Sequence, residues 1–409
     1  MQRIAVISVH GCPVARLGEK DTGGMNVYVL QVARSLGAAG LQVDVYTRCH
    51  DPSDPQIVSL GANVRVVHIL AGPYHEAKGN IFRHLPAFIA GLETFRKAHG
   101  LGYDVVHTHY WLSGWVGAQL SRHWGVPHVA SFHTLAELKR RARAGEREPA
   151  RRFSVERRVI ERADRIIAFS PHEKEALLRL YGADPAHVRV IPCGVDADVF
   201  HPLDREECRT ELGLAPDEQV VLYVGRMEPL KGLDLLLRSV ARLVEYGEPV
   251  RLLMVGGKLR EAGYLSHLRR LARTLGISCH IRFVGSVPQV KLPLYYCAAD
   301  VCVVPSYYES FGLVALEAMA CSTPVVASRV GGLPSVVVDG RTGYLVPMHC
   351  VESFASRLEM LLSSESLRRA MGKVARETAQ RLDWGSVAAQ VATVCRELTE
   401  GRAPMATAV

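Results

Sequence analysis

Short β-branched runs alternate with amphipathic stretches along the whole chain. In the first half the runs fall at 4–9, 43–47, 64–69, 104–107, 128–132, 165–169 and 188–191, with helical patterns between them at 26–36, 85–97 and 173–180. Strand, helix and strand in succession predict right-handed crossovers and a mostly parallel sheet covered on both faces. The turn formers Pro192-Cys193-Gly194-Val195-Asp196, followed by His201-Pro202, break this pattern and mark a domain boundary. A second series then restarts, with runs at 220–224, 251–255, 280–284, 301–304, 324–327 and 343–346. The expectation is an α/β chain of two Rossmann-like, doubly wound domains, 1–192 and 193–382. Ligands bind such sheets at the carboxyl ends of the strands, so two facing domains would enclose a cleft. In the tail at 383–409, Trp384, Val387, Ala388, Val391, Val394, Cys395 and Leu398 form a helical stripe behind a candidate N-cap, Asp383. The pattern alone does not choose which domain takes that stripe.

Composition changes the picture little. At 409 residues, with 48% hydrophobic and 22% charged positions, the chain is globular and long enough for two cores. The run at 4–9 is too short for a secretory core and no later run reaches spanning length, so a soluble, cytoplasmic protein is expected. None of the 10 cysteines is spaced Cys-x-x-Cys, which weakens zinc-finger and redox-motif readings.

Three loops carry candidate chemistry. The first ends Asp21-Thr22-Gly23-Gly24 at the start of a helical pattern, where a glycine pair lets a ligand approach the backbone and free N–H groups face an anion. Its spacing is not the dinucleotide Gly-x-Gly-x-x-Gly, and the glycines alone are better accounted for by the turn. The second, Gly225-Arg226-Met227-Glu228-Pro229-Leu230-Lys231-Gly232, sets two cations after a strand, where they can converge on a diphosphate. The third runs from Pro305 to Glu317 and holds two carboxylates, Glu309 and Glu317, the second on a helix expected to begin near Phe311. The amides of Ser310, Phe311, Gly312 and Leu313 would then meet a phosphate at the helix start. A paired-carboxylate hydrolase competes with this reading but leaves Arg226 and Lys231 without a purpose.

Together these motifs resemble the retaining glycosyltransferases of sequence family four, which have the two-Rossmann GT-B fold. The resemblance spans nearly the whole chain. It implies that Arg226 and Lys231 bind the diphosphate of a UDP-sugar, that Glu309 and the amides of Ser310–Leu313 hold the sugar hydroxyls, and that Glu317 holds the ribose. Gly23 would touch the diphosphate and His133 would face the donor sugar. Arg226, Lys231, His133 and Glu309 form the implied catalytic set, acting by front-face substitution without a required cofactor. A structural Mg²⁺ on the carbonyls of Tyr296, Cys297 and Ala299 is known in a relative. In this fold the tail helix crosses back to the first domain.

Within the family, Gly-Gly-Met-Asn is most similar to the mycothiol-pathway branch, which moves N-acetylglucosamine from UDP onto 1D-myo-inositol 3-phosphate. By that resemblance the acceptor phosphate meets Lys78, Tyr110, Thr134 and Arg152, while His10, Asp21, Thr22, Gly24, Met25 and Asn26 line the inositol ring. Thr22 departs from the branch's usual Ala. Glu19-Lys20-Asp21-Thr22 is closer to sucrose-phosphate synthases, which take UDP-glucose and fructose 6-phosphate. The stretch 137–158 gathers nine cations against four glutamates, which raises a rival, a non-catalytic binder of an anionic surface. A pyridoxal-phosphate phosphorylase of similar fold is a third class. The partners expected are a UDP-sugar and a phosphorylated small acceptor, with neither nucleic acid nor a membrane span, and a homodimer is allowed.

Overall fold

The computed structural model describes residues 2–15, 23–257, 263–347 and 350–400. They divide into two units. The first takes 2–15, 24–192 and the chain from 384 on, and the second takes Gly23 and 193–383.

In the first unit, β1 (Arg3–Ile7), β2 (Gln42–Arg48), β3 (Ile57–Gly61), β4 (Val64–Ile69), β5 (Val105–His109), β6 (His128–Ser131), β7 (Arg165–Ala168) and β8 (Val188–Val190) form one sheet, ordered β3-β4-β2-β1-β5-β6-β7-β8. β1 lies at its centre, Ile4 pairing with Val43 on one side and Val105 on the other, both parallel. Both faces of this strand are covered, which is why it reads as a continuous apolar run. β3 is a strand that the hydrophobic pattern misses. It pairs antiparallel with β4 at the sheet edge, and its alternate residues are exposed, so no apolar run announces it.

The flanking helices are α1 (Gly24–Ala38), α2 (Leu85–Ala98), α3 (Tyr110–Trp124), α4 (Ala136–Ala142), α5 (Ala150–Arg162) and α6 (Pro171–Tyr181). α5 buries Arg152, Val155, Glu156, Val159 and Ile160, a helical stripe in which two positions are charged.

The second unit holds β9 (Gln219–Val224), β10 (Val250–Val255), β11 (Ile281–Gly285), β12 (Val301–Val304), β13 (Val325–Ser328) and β14 (Gly343–Val346), ordered β11-β10-β9-β12-β13-β14. Its helices are α7 (Arg205–Leu212), α8 (Leu233–Glu245), α9 (Tyr264–Thr274), α10 (Leu292–Ala298), α11 (Leu313–Ala320), α12 (Val351–Leu362) and α13 (Glu365–Ala379). All its strand pairs are parallel, and the strand order reverses direction between β9 and β12. In the first unit the same reversal falls between β1 and β5. Each reversal opens a crevice at the strands' carboxyl ends, the usual ligand position in such sheets.

The last helix, α14 (Trp384–Glu400), groups with the first unit. Its Trp384 ring stands edge-on to Tyr28 of α1 at 5.8 Å, and Glu397 meets Arg189 at 3.1 Å. Among the described residues no helix is long and apolar enough to cross a membrane.

Candidate active site

In the second unit, the loops after β9 and β12 lock together at the reversal point. Tyr307 donates its amide to the Leu230 carbonyl at 2.8 Å, and Tyr223 at the end of β9 donates its hydroxyl to the Arg226 carbonyl at 2.7 Å. Gly232 turns with φ 68°, and a Cβ there would lie 2.0 Å from the Pro305 carbonyl oxygen. Only glycine permits that approach.

The result is that Lys231 and Glu309 meet, Nζ to Oε1 at 2.5 Å, while Ser306 donates to the same carboxylate oxygen at 3.0 Å. An ammonium has three N–H donors, so this pair leaves Lys231 able to bind an anion as well. Arg226 is 43% exposed and sits 3.0 Å from Glu228, and Gly23 lies beside its Nε.

Gly312, with φ 112°, delays the expected helix to Leu313. Glu309 therefore stands on the loop ahead of α11, not on its first turn. The chain at 309–312 is pressed against Gly331 and Gly332, and the Gly332 amide donates to the Glu309 carbonyl at 2.9 Å.

Glu317, on α11, is buried and accepts from Tyr296 at 2.9 Å and Gln289 at 3.3 Å. Burial pushes its carboxyl up to about 7, against those two hydrogen bonds. Two of the three carbonyls that a structural Mg²⁺ would need already have protein donors. Thr323 donates to the Tyr296 carbonyl at 2.7 Å and the Arg205 guanidinium to that of Ala299 at 2.8 Å. At Ala299 a cation would have to share the carbonyl with the Arg205 guanidinium, which disfavours the ion at that ligand.

In the first unit, a second constellation gathers where β1, β5 and β6 end. Tyr110, directly after β5, has φ 77°, and His133, just after β6, has φ 60°. Such left-handed backbone costs a residue with a side chain about 1–3 kcal/mol and clusters at functional sites.

The Tyr110 ring is the hub. Lys78 Nζ lies 4.4 Å from its centroid, the Arg152 guanidinium 4.8 Å, and the His10 ring 4.4 Å. Arg152 also donates to the Thr134 hydroxyl at 3.0 Å and carbonyl at 2.6 Å, so the four phosphate-binding candidates are brought together.

Arg152 is 1% exposed and pairs with Glu156 at 2.7 Å and Glu148 at 2.9 Å. Glu156 in turn accepts from Tyr181 at 2.6 Å and from the Ala136 amide at 2.9 Å. These partners escaped the sequence reading, although Glu148 and Glu156 stand four residues either side of Arg152, where helical geometry makes neighbours.

His133 is also buried. Its Nε2 lies 2.9 Å from His109 Nδ1, with Tyr28 and Phe169 packed around it, and burial holds its pKa down to about 3. It is therefore a neutral imidazole at physiological pH. His109 and Tyr28 were not foreseen, although His107-Thr108-His109 at a strand end was a visible signal.

Asn26 is buried and donates to the Cys12 carbonyl at 2.7 Å, so its amide already braces the loop after β1. Met25 follows Gly24 in the first turn of α1, packing where a Cβ on Gly11 would stand. Asp21 and Thr22 lie outside the described residues.

The basic stretch at 139–158 is partly self-paired. Lys139 bridges Glu146 and Glu148, and Glu137 takes Arg140 at 2.6 Å and Arg157 at 3.7 Å. Arg151 stacks on Phe82 at 4.7 Å. Four glutamates offset only part of the nine cations, so a net charge of +5 remains on 137–158.

Comparison with known proteins gives the frame for both constellations. Residues 22–199 match the family model "Glycosyltransferase Family 4" and residues 204–378 match "Glycosyl transferases group 1". A relative from Catenulispora acidiphila named D-inositol 3-phosphate glycosyltransferase 2 is 44% identical over 96% of this chain and 94% of its own. The D-inositol 3-phosphate glycosyltransferase of Mycobacteroides abscessus is 44% identical over 98% and 91%. Among solved structures, the sucrose-phosphate synthase of Thermosynechococcus elongatus superposes with a TM-score of 0.91 at 38% identity, covering 98% of this chain and all of that one. With two reversing parallel sheets, matched family models in both halves and relatives this similar along nearly the full length, the chain belongs to the family-four glycosyltransferases of GT-B fold.

Proposed function

We propose that this enzyme transfers N-acetylglucosamine from UDP-N-acetylglucosamine to 1D-myo-inositol 3-phosphate in the cytoplasm, with retention of the anomeric configuration. The observation that carries the reading is the cradle around Tyr110, where Lys78, Arg152 and the Thr134 hydroxyl converge. Two cations and two hydroxyls suit a phosphate monoester, and Arg152 keeps one N–H beyond those it gives to Glu156, Glu148 and Thr134. The names of the 44%-identical relatives support that acceptor.

In this reading the second unit holds the donor. Arg226 and Lys231 take up the charge of the departing diphosphate, a contribution that is commonly the largest in such catalysis. Glu309, oriented by Ser306 and Lys231, receives the sugar hydroxyls. Glu317 receives the ribose. His133, held neutral, faces the donor sugar as a hydrogen-bonding group rather than as a cation. The acceptor hydroxyl attacks on the face from which the diphosphate leaves, and its proton passes to the departing phosphate oxygen. No protein nucleophile and no catalytic metal is assigned a step.

A second reading, transfer of glucose from UDP-glucose to fructose 6-phosphate, is favoured by the likeness to the Thermosynechococcus sucrose-phosphate synthase. It uses the same phosphate cradle. UDP release separates the two when UDP-N-acetylglucosamine and UDP-glucose are each crossed with inositol 3-phosphate, fructose 6-phosphate and malate. Turnover confined to the first donor with inositol 3-phosphate supports the proposal. Turnover only with the second donor and fructose 6-phosphate replaces it, and the product's anomeric coupling by NMR tests retention.

A further inference from the structure

The carboxyl ends of β1, β2 and β4 bring together three side chains that the transfer reaction does not use. Cys12 follows β1, His50 follows β2 and His68 lies in β4, and one ligand atom from each falls within 4.8 Å of the other two. Cys12 and His68 are buried and His50 is half-buried.

Cys12 Sγ is 3.3 Å from His68 Nε2. Two ligands on a tetrahedral zinc, at its usual bond lengths to sulfur and nitrogen, stand about 3.5 Å apart.

The far side of the His68 imidazole is oriented in the way that metal-binding histidines are. His68 Nδ1 is 2.7 Å from the Pro55 carbonyl, which can only accept, so the proton sits on Nδ1 and the lone pair of Nε2 points at the sulfur. His50 Nδ1 lies 3.0 Å from Asp54 Oδ2, and that carboxylate is itself fixed by the amides of His50 and Asp51 at 3.1 and 3.0 Å.

We propose that Cys12, His50 and His68 form a binding site for a zinc-like divalent cation, with water in the fourth position. A thiolate and two imidazoles select a borderline-soft metal over Mg²⁺ or Ca²⁺. His50, on a half-exposed loop, closes by about 1 Å to complete the tetrahedron. The bound cation fastens the loop after β1 to β4 and to the loop after β2. The same loop offers its Cys12 carbonyl to Asn26, so the cation stiffens one wall of the first unit's constellation. The ligands are spaced too widely along the chain to form a sequence motif.

Co²⁺ titration of the full-length, metal-stripped protein tests the site. The expected result is one Co²⁺ per chain with a thiolate-to-cobalt charge-transfer band, displaced by Zn²⁺. At free Zn²⁺ about a hundred times its Kd, the thermal midpoint rises by roughly 5–10 °C. Cys12→Ser and His68→Gln lose the band, and Cys279→Ser, at an exposed cysteine, keeps it. Should the two buried changes unfold the protein, His50→Ala on its loop weakens Co²⁺ binding while the circular dichroism stays native. A native protein without the band, or a band that survives Cys12→Ser and His68→Gln or is lost in Cys279→Ser, overturns the proposal.

Discussion

Lys78→Met removes one cation from the Tyr110 cradle while keeping an apolar stem of similar length. The ammonium lies 4.4 Å from the ring centroid, and the Arg152 guanidinium lies 4.8 Å from the same centroid. A charge-assisted hydrogen bond from Lys78 to the acceptor phosphate is worth about 1.5–3 kcal/mol. At about 1.36 kcal/mol per factor of ten, the acceptor's apparent KM should rise by roughly 10-fold to 150-fold. Loss of the cation–π contact costs about 0.5–1 kcal/mol of stability, a fall of roughly 1–4 °C in the first unit's melting temperature.

The assay is UDP release at saturating donor, with inositol 3-phosphate and with unphosphorylated myo-inositol. The wild type should prefer the phosphorylated acceptor strongly, and the variant should lose most of that preference while its donor KM stays unchanged. If both acceptors suffer equally, or if the donor KM moves as much, Lys78 does not bind the phosphate and the reasoning fails.

Lys231→Ala should lower kcat by about 10²–10³, the usual cost of deleting one donor to a developing anion, and leave the acceptor KM nearly unchanged. A loss under threefold in turnover would remove Lys231 from the leaving-group role. Arg152→Ala leaves Glu156 buried without its cation, while Glu148 keeps Lys139, and should cost about 3–5 kcal/mol, read as a thermal shift of roughly 6–20 °C. Arg151→Ala, at an exposed position, loses only its contact with Phe82 and should cost no more than about 1 kcal/mol. Glu317 is raised in the fold to about 7 from an ordinary 4.5, so the folded state binds more protons than the unfolded between those values and this residue's contribution falls as pH rises through that window. Denaturant midpoints of Glu317→Gln relative to wild type should therefore shift in the variant's favour from pH 4.5 to 7 and level off above, and a constant difference would show that the carboxyl is not held up by burial.

The alternation of apolar runs and amphipathic stretches determined the two doubly wound sheets, because a strand covered on both faces must be apolar throughout and a covering helix must repeat its apolar face every three to four residues. It also set Arg226, Lys231 and Glu309 just past strand ends, where such sheets bind ligands. The edge strand β3 stayed hidden because one face meets solvent and interrupts the run.

Only the tertiary structure decided which charges are free and which are committed. Arg152 and Glu156 read as two members of a charged stretch, yet they fill a buried stripe of α5 and neutralise each other. Their four-residue spacing marks them as partners but not as buried, since burial depends on what α3, α4 and α6 place against that face. The left-handed backbone at Tyr110 and His133 is likewise a tertiary outcome, tolerated because the surrounding rings hold it. The meeting of Cys12, His50 and His68 belongs there too. Strand order, not sequence spacing, makes β1, β2 and β4 neighbours, and side chains far apart along the chain then converge at one sheet end.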